Sequence, residues 1–197
     1  MNSRVLALAL LCLAAPAAAQ KGATHFVNSD ALPALAIEVS PEFAWLGDIT
    51  FPVDTVAVAR QVIYGVDDDG VLVRALIISF EHILPGLPQT FVYPATPTVQ
   101  LGGKDYLHHA WAFNDLYLFN QPELVAVLQK YYLTAGTRWV MDRYVRVVPE
   151  NPQYEVIIFY LESDLVSDPS VTYGAAPPPD VAAALAERAQ QAFTILK

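Results

Sequence analysis

Two short stretches of this sequence concentrate the side chains able to move protons. The first is Ser79-Phe80-Glu81-His82-Ile83-Leu84-Pro85-Gly86. It closes a long apolar run and opens a loop stiffened by Pro85, Pro88, Pro94 and Pro97. A carboxylate and an imidazole beside such a loop are the groups that general acid–base catalysis uses. Strand alternation points Glu81 and His82 to opposite faces unless a bulge intervenes. The second stretch runs from Tyr106 to Asp115. There His109 shares a face with Leu107, Trp111 and Phe113, and His108 shares the other with Tyr106, Ala110 and Ala112. Glu81, His82 and His108 are the candidate catalytic residues on this reading. The plainer alternative is that each satisfies a local hydrogen bond at a strand end.

Arg143 is the third feature. It lies among Trp139, Met141, Val145 and Val147 at strand spacing, which places a guanidinium on an apolar face. A buried guanidinium requires a partner. Glu81 or Glu162 supplies one if the role is structural. A ligand carboxylate or phosphate supplies it if the role is binding. The chain is also rich in tyrosine, with ten. Tyrosine offers ring surface and a hydroxyl together, either to a core or to an amphipathic ligand. Tyr106, His109, Trp111, Arg143 and Tyr160 are therefore the candidate ligand-binding residues. The small Ala110 and Ala112 leave room beside Tyr106 for a ligand or for a helix.

Several chemistries find no residues to carry them. The chain has no glycine-rich dinucleotide or phosphate loop, no serine in a glycine elbow and no paired-histidine zinc motif. Asp67-Asp68-Asp69-Gly70 reads as a hairpin turn, because its aspartates are consecutive and no glutamate closes a calcium loop. Adjacent His108 and His109 diverge and make a poor metal clamp. No metal and no cofactor is expected. The formal net charge of −9 lacks the basic stripe a nucleic-acid partner needs.

The first nineteen residues have the order of a secretory leader. Arg4 precedes the apolar stretch Val5 to Ala15, and Pro16-Ala17-Ala18-Ala19 ends in a small-residue cleavage signature. Cleavage after Ala19 removes Cys12, the only cysteine. The exported chain would then hold no disulfide and no thiolate nucleophile. It would also lose Arg4 and become more acidic. A periplasmic or secreted location and a bacterial source follow from this reading. No later segment is apolar for long enough to span a bilayer.

The body of the chain reads as strands. Val56 to Tyr64 and Val71 to Leu84 flank the Asp-Gly turn. Val99 to Leu101 and Tyr106 to Phe113 flank Gly102-Gly103-Lys104-Asp105. Trp139 to Val148 and Tyr154 to Glu162 flank Pro149-Glu150-Asn151-Pro152-Gln153. Leu35 to Val39 and Ile49 to Val53 are weaker strands. Such short connections make antiparallel pairs. Two helices are expected, from Pro122 to Leu133, stopping at Ala135-Gly136, and from the cap Asp180 to the end, with a stripe of Val181, Leu185, Ala189, Ala192, Phe193 and Leu196.

The predicted fold is α+β: a single domain with about seven antiparallel strands, strongly curved or closed into a partial barrel, and two packed helices. The expected divisions are a leader at 1–19, a loosely held segment at 20–34, a β-rich unit with one inserted helix at 35–166, a Pro/Ala-rich tether at 167–179 and a helix at 180–197. The favoured role is an exported binding or accessory domain for a small apolar or amphipathic molecule. The alternatives are a small acid–base enzyme of hydrolase or isomerase type, using Glu81 with His82 or His108, and an envelope protein that binds a protein partner.

Overall fold

The computed structural model describes residues 24–29, 33–113, 122–129, 138–163 and 170–196. Ten strands and two helices lie among them. They are β1 (His25–Ser29), β2 (Leu35–Val39), β3 (Ala44–Val53), β4 (Ala57–Asp68), β5 (Val71–Ile83), β6 (Thr98–Leu101), β7 (Lys104–Phe113), α1 (Pro122–Gln129), β8 (Trp139–Val147), β9 (Tyr154–Ser163), α2 (Pro179–Ala192) and β10 (Phe193–Leu196). Seven strands form one antiparallel sheet in the order β3-β4-β5-β9-β8-β7-β6. The other three form a small antiparallel sheet in the order β1-β2-β10. The architecture is α+β. The large sheet is open, with β3 and β6 at its edges, so the barrel alternative is not realised.

Turn chemistry sets the register of the hairpins. Asp68 pairs with Val71, leaving Asp69 and Gly70 as the two-residue connection. Both have positive φ, 49° and 81°, the geometry of a turn whose twist matches the strands. Leu101 pairs with Lys104 across Gly102 and Gly103, at φ 57° and 75°. Gly102 is required twice over, since a Cβ there would lie 2.8 Å from the Ile195 side chain. After β5 the chain crosses to the far edge through residues 84–97, and β6 to β9 then walk back until β9 pairs with β5.

That walk gives the large sheet two faces of different character. The back face carries Val62, Tyr64, Leu76, Ile78, Phe80, Tyr106, Val140, Tyr144, Val156, Ile158 and Tyr160. These residues share one buried cluster with Ile37, Val39, Phe193 and Ile195 of the small sheet, and with Val181, Leu185 and Ala189 of α2. The front face carries Ile63, Ala75, Ile77, Met141 and Leu161, packed with Leu124 and Val127 of α1. An eight-residue helix has little stability of its own. Burial of Leu124 and Val127 contributes roughly 1.5–3 kcal/mol each and holds α1 in place.

Three sequence expectations change here. The last helix stops at Ala192, and Phe193–Leu196 is a strand on β2 instead. Its residues alternate buried and exposed, and pairing with β2 satisfies backbone groups that a solvent-facing helix end would leave to water. The helix starts with Pro179 at its first turn, so Asp180 sits inside that turn and makes no side-chain cap bond. The segment expected to be loose contains β1, with Val27 buried against Ile37. Of the proposed tether, residues 167–169 lie outside the described residues, while Gly174 and Ala175 exchange backbone bonds with Ala112 at the edge of β7. The expected stop of the first helix at Ala135-Gly136 also lies outside them.

Candidate functional site

The front face is apolar under α1 and polar beyond it. Its polar band is built by register. Gln61 of β4 pairs with Ser79 of β5, Glu81 of β5 pairs with Glu155 of β9, and Arg143 of β8 pairs with His109 of β7. The crossing segment 84–97 adds Tyr93 from above. Its path is fixed by the β8–β9 turn, where Gln153 donates to the carbonyls of Leu87 and Gln89 and Phe91 donates its amide to Pro152. The proline-rich loop thus forms one border of the band.

Glu81 and Glu155 face each other across neighbouring strands. Glu155 is 1% exposed. Tyr93 donates its hydroxyl to Oε1 at 3.0 Å, while Oε2 is buried with no hydrogen-bond partner. Burial pushes the Glu155 carboxyl up to about 7. The Tyr93 hydrogen bond and the Arg143 charge pull against this, and the Glu81 charge adds to it. Glu81 is also raised by burial, against a hydrogen bond from Ser79 at 2.9 Å. Burial thus raises both carboxyls, and the Glu81 charge adds to the rise at Glu155.

Arg143 is half-buried between two rings. Its guanidinium carbon lies 5.7 Å from the Tyr93 ring centre and 5.1 Å from that of Trp111. Its Nε is buried without a hydrogen-bond partner, and among the described residues no carboxylate oxygen comes within 4.0 Å of it. The two expected structural partners are engaged elsewhere. Glu162 points to the back face and takes both Arg188 (2.7 and 2.8 Å) and Tyr160. Glu81 accepts from Ser79.

Beyond Arg143 the face drops into a cleft of about 460 Å³ near the start of β7 and the end of β8. Leu107, Val145 and Val147 give it apolar walls, and Lys104, Asp105 and Arg146 also line it. On the other side of the band lies a cleft of about 330 Å³, lined by Phe51, Pro52, Val53, Asp54, Gln61, Glu81, Pro122, Glu123 and Phe159.

The sequence candidates divide between the two faces. His109, Trp111, Arg143 and Glu81 belong to the front. His109 packs against Trp111 with ring centres 5.0 Å apart. His82, His108, Tyr106 and Tyr160 belong to the back. His82 stacks on Tyr154. His108 stacks on Tyr144 and bonds to Asp142, a fully buried carboxylate that Tyr144 also reaches. Asp142 is thus a core residue. Tyr106 and Tyr160 are fully buried in the back cluster, and Ala112 is packed there with them. No bulge interrupts β5 between Phe80 and Ile83, so Glu81 does not meet His82 or His108 in one site.

Sequence reading passed over Glu155, Tyr93, Gln61 and Ser79. Glu155 had a signal: it interrupts the apolar alternation that Ile157, Phe159 and Leu161 continue. Tyr93 had none, because its place depends on where a loop crosses. Among the described residues no group of three histidine, cysteine or acidic side chains converges on a metal position, and no helix is long and apolar enough to cross a membrane. No family model, curated protein or solved structure matches the chain, so the geometry alone carries the functional argument.

Proposed function

We propose that this protein is an exported binding domain whose front face holds a small amphipathic anion, with Arg143 as its anchor. The observation that carries the reading is a guanidinium beside the Tyr93 and Trp111 rings with no carboxylate oxygen within 4.0 Å among the described residues. A stacked, desolvated guanidinium keeps its donors free for a carboxylate, sulfonate or phosphate. The apolar strip Leu107-Val145-Val147 runs from this point into the larger cleft and suits a hydrocarbon or aromatic body. Two basic residues, Lys104 and Arg146, line the same cleft against one acidic residue, Asp105, a balance that favours an anion in an otherwise acidic molecule. The leader-like first nineteen residues support an exported, periplasmic setting.

The acid–base enzyme reading loses support from the separation of Glu81 from His82 and His108 by the thickness of the sheet. The partner-binding reading draws on the acidic composition and on the proline-rich stretch before the last helix.

Fluorescence titration with anilinonaphthalene sulfonate, an aromatic anion, tests the proposal. Saturable binding near one site is expected, weakened about tenfold or more by Arg143→Met. Equal affinity in wild type and R143M, with both proteins folded, would overturn it.

A further inference from the structure

The smaller cleft has the opposite chemistry. We infer that it is a second binding site, independent of Arg143, for a primary alkylammonium group. Three carboxylate-bearing residues line it: Asp54, Glu81 and Glu123. They come from three places, the β3–β4 turn, the end of β5 and the first turn of α1. Acidic side chains gathered this way do not by themselves make a site. The deciding observation is Gln61, which lines the same cleft, is 5% exposed and has a buried Oε1 with no hydrogen-bond partner.

A buried amide oxygen left unpaired costs stability, so an acceptor held in this state is a position where a donor is missing. Gln61 stands within a strand, followed by buried Val62 and Ile63, and pairs in register with Ser79. Ser79 has already given its hydroxyl to Glu81. Among the described residues nothing donates to this oxygen, which leaves it open to a donor brought by a ligand.

A primary ammonium fits what is present. It carries three N–H donors in a compact head, and the cleft offers an amide oxygen and carboxylates as acceptors. Its positive charge answers Glu81 and Glu123. The walls, Phe51, Pro52, Val53, Pro122 and Phe159, match the methylene chain behind the head. Two aromatic rings close to a cation add attraction of their own. A bare divalent ion is the poorer occupant, because it needs six or more oxygens and has no use for apolar walls. The volume of about 330 Å³ suits a short amine and not a folded peptide.

Calorimetric titration of the full chain at about pH 7 with butylammonium, tetramethylammonium and calcium decides the matter. Butylammonium should bind saturably, with Kd on the order of 1 mM or tighter. Tetramethylammonium has no N–H to give and should bind at least tenfold more weakly. Calcium should not displace the amine. Glu81→Gln and Gln61→Leu should each weaken butylammonium tenfold or more, and Glu123→Gln about threefold. R143M should leave it unchanged, which separates this site from the anion site. If E81Q or Q61L fails to fold, as judged by circular dichroism, E123Q and the ratio of the two cations still decide. The inference is overturned by absence of saturable amine binding, by equal binding of both ammonium ions, by displacement with calcium, or by full affinity in folded E81Q, Q61L and E123Q.

Discussion

The two faces of the large sheet bury similar side chains but finish them differently. On the back, polar groups are closed on one another. Tyr144 and His108 meet on Asp142, and Tyr160 and Arg188 meet on Glu162. Among the described residues, Tyr106 Oη is buried there without a hydrogen-bond partner, as is His25 Nε2 of the small sheet, which packs against Tyr64. On the front, Gln61 Oε1, Arg143 Nε, Glu155 Oε2, Trp139 Nε1 and Ser163 Oγ are all buried and unpartnered. Buried polar groups in a finished core are hydrogen-bonded, because each unmet one costs stability. Unmet groups are more numerous on the front than on the back, which is the pattern the proposed front-face site would require.

The contrast can be broken from either side. The largest effect is expected at Asp142. Asp142→Ala strands the buried Tyr144 hydroxyl and releases His108, and should cost about 2–4 kcal/mol in urea unfolding. A loss below about 1 kcal/mol would mean the back-face network contributes little.

Glu155 should behave in the opposite way. Its carboxyl is raised in the folded chain, so the folded state binds more protons than the unfolded state between the ordinary glutamate range and about 7. Stability contributed by the protonated form is fully present at low pH and is lost as pH rises through that window. The His108 imidazole, raised chiefly by its bond to Asp142, works in the same direction and is lost as pH rises through its folded value. Wild-type stability should therefore fall by roughly 1–3 kcal/mol from about pH 5 to about pH 8. Glu155→Gln should flatten most of this fall and stabilise the protein at the upper end. A wild type that gains stability across the window would contradict the assignment.

Arg143→Met should move stability by less than about 1 kcal/mol, since the side chain has no ion pair to lose and keeps its apolar contacts with two rings. Its effect on anion binding should be far larger than its effect on folding. The smallest change is expected at Arg60, which pairs with Asp48 at 2.9 Å with both side chains more than 40% exposed. Arg60→Ala should cost under about 0.5 kcal/mol.

The strands were legible because their signals are local. Asp69-Gly70 and Gly102-Gly103 announce their turns, and the apolar runs between them are too long and too β-branched for anything else. Arg143 stood out because a guanidinium amid Trp139, Met141 and Val145 breaks the apolar pattern. What local pattern could not supply was the pairing of β9 with β5, which brings Glu155 to Glu81, or the path of residues 84–97, which brings Tyr93 to both Glu155 and Arg143. The end of α2 was misjudged for a related reason. Phe193 and Leu196 suit a helical stripe as well as a strand, and only the free edge of β2 decides between them.

That edge has a kinetic consequence. β2 is flanked by β1 and β10, so Ile37 touches Val27 on one side and Ile195 on the other. The first contact is nearly local, while the second closes a loop around the whole large sheet. Contacts of such sequence separation form late, because the chain entropy lost in closing them comes before the reward. The small sheet acts as a clasp fastened after the rest has folded. Until then the back-face core stays uncovered, and the free edge of β2 is a template for pairing with another chain.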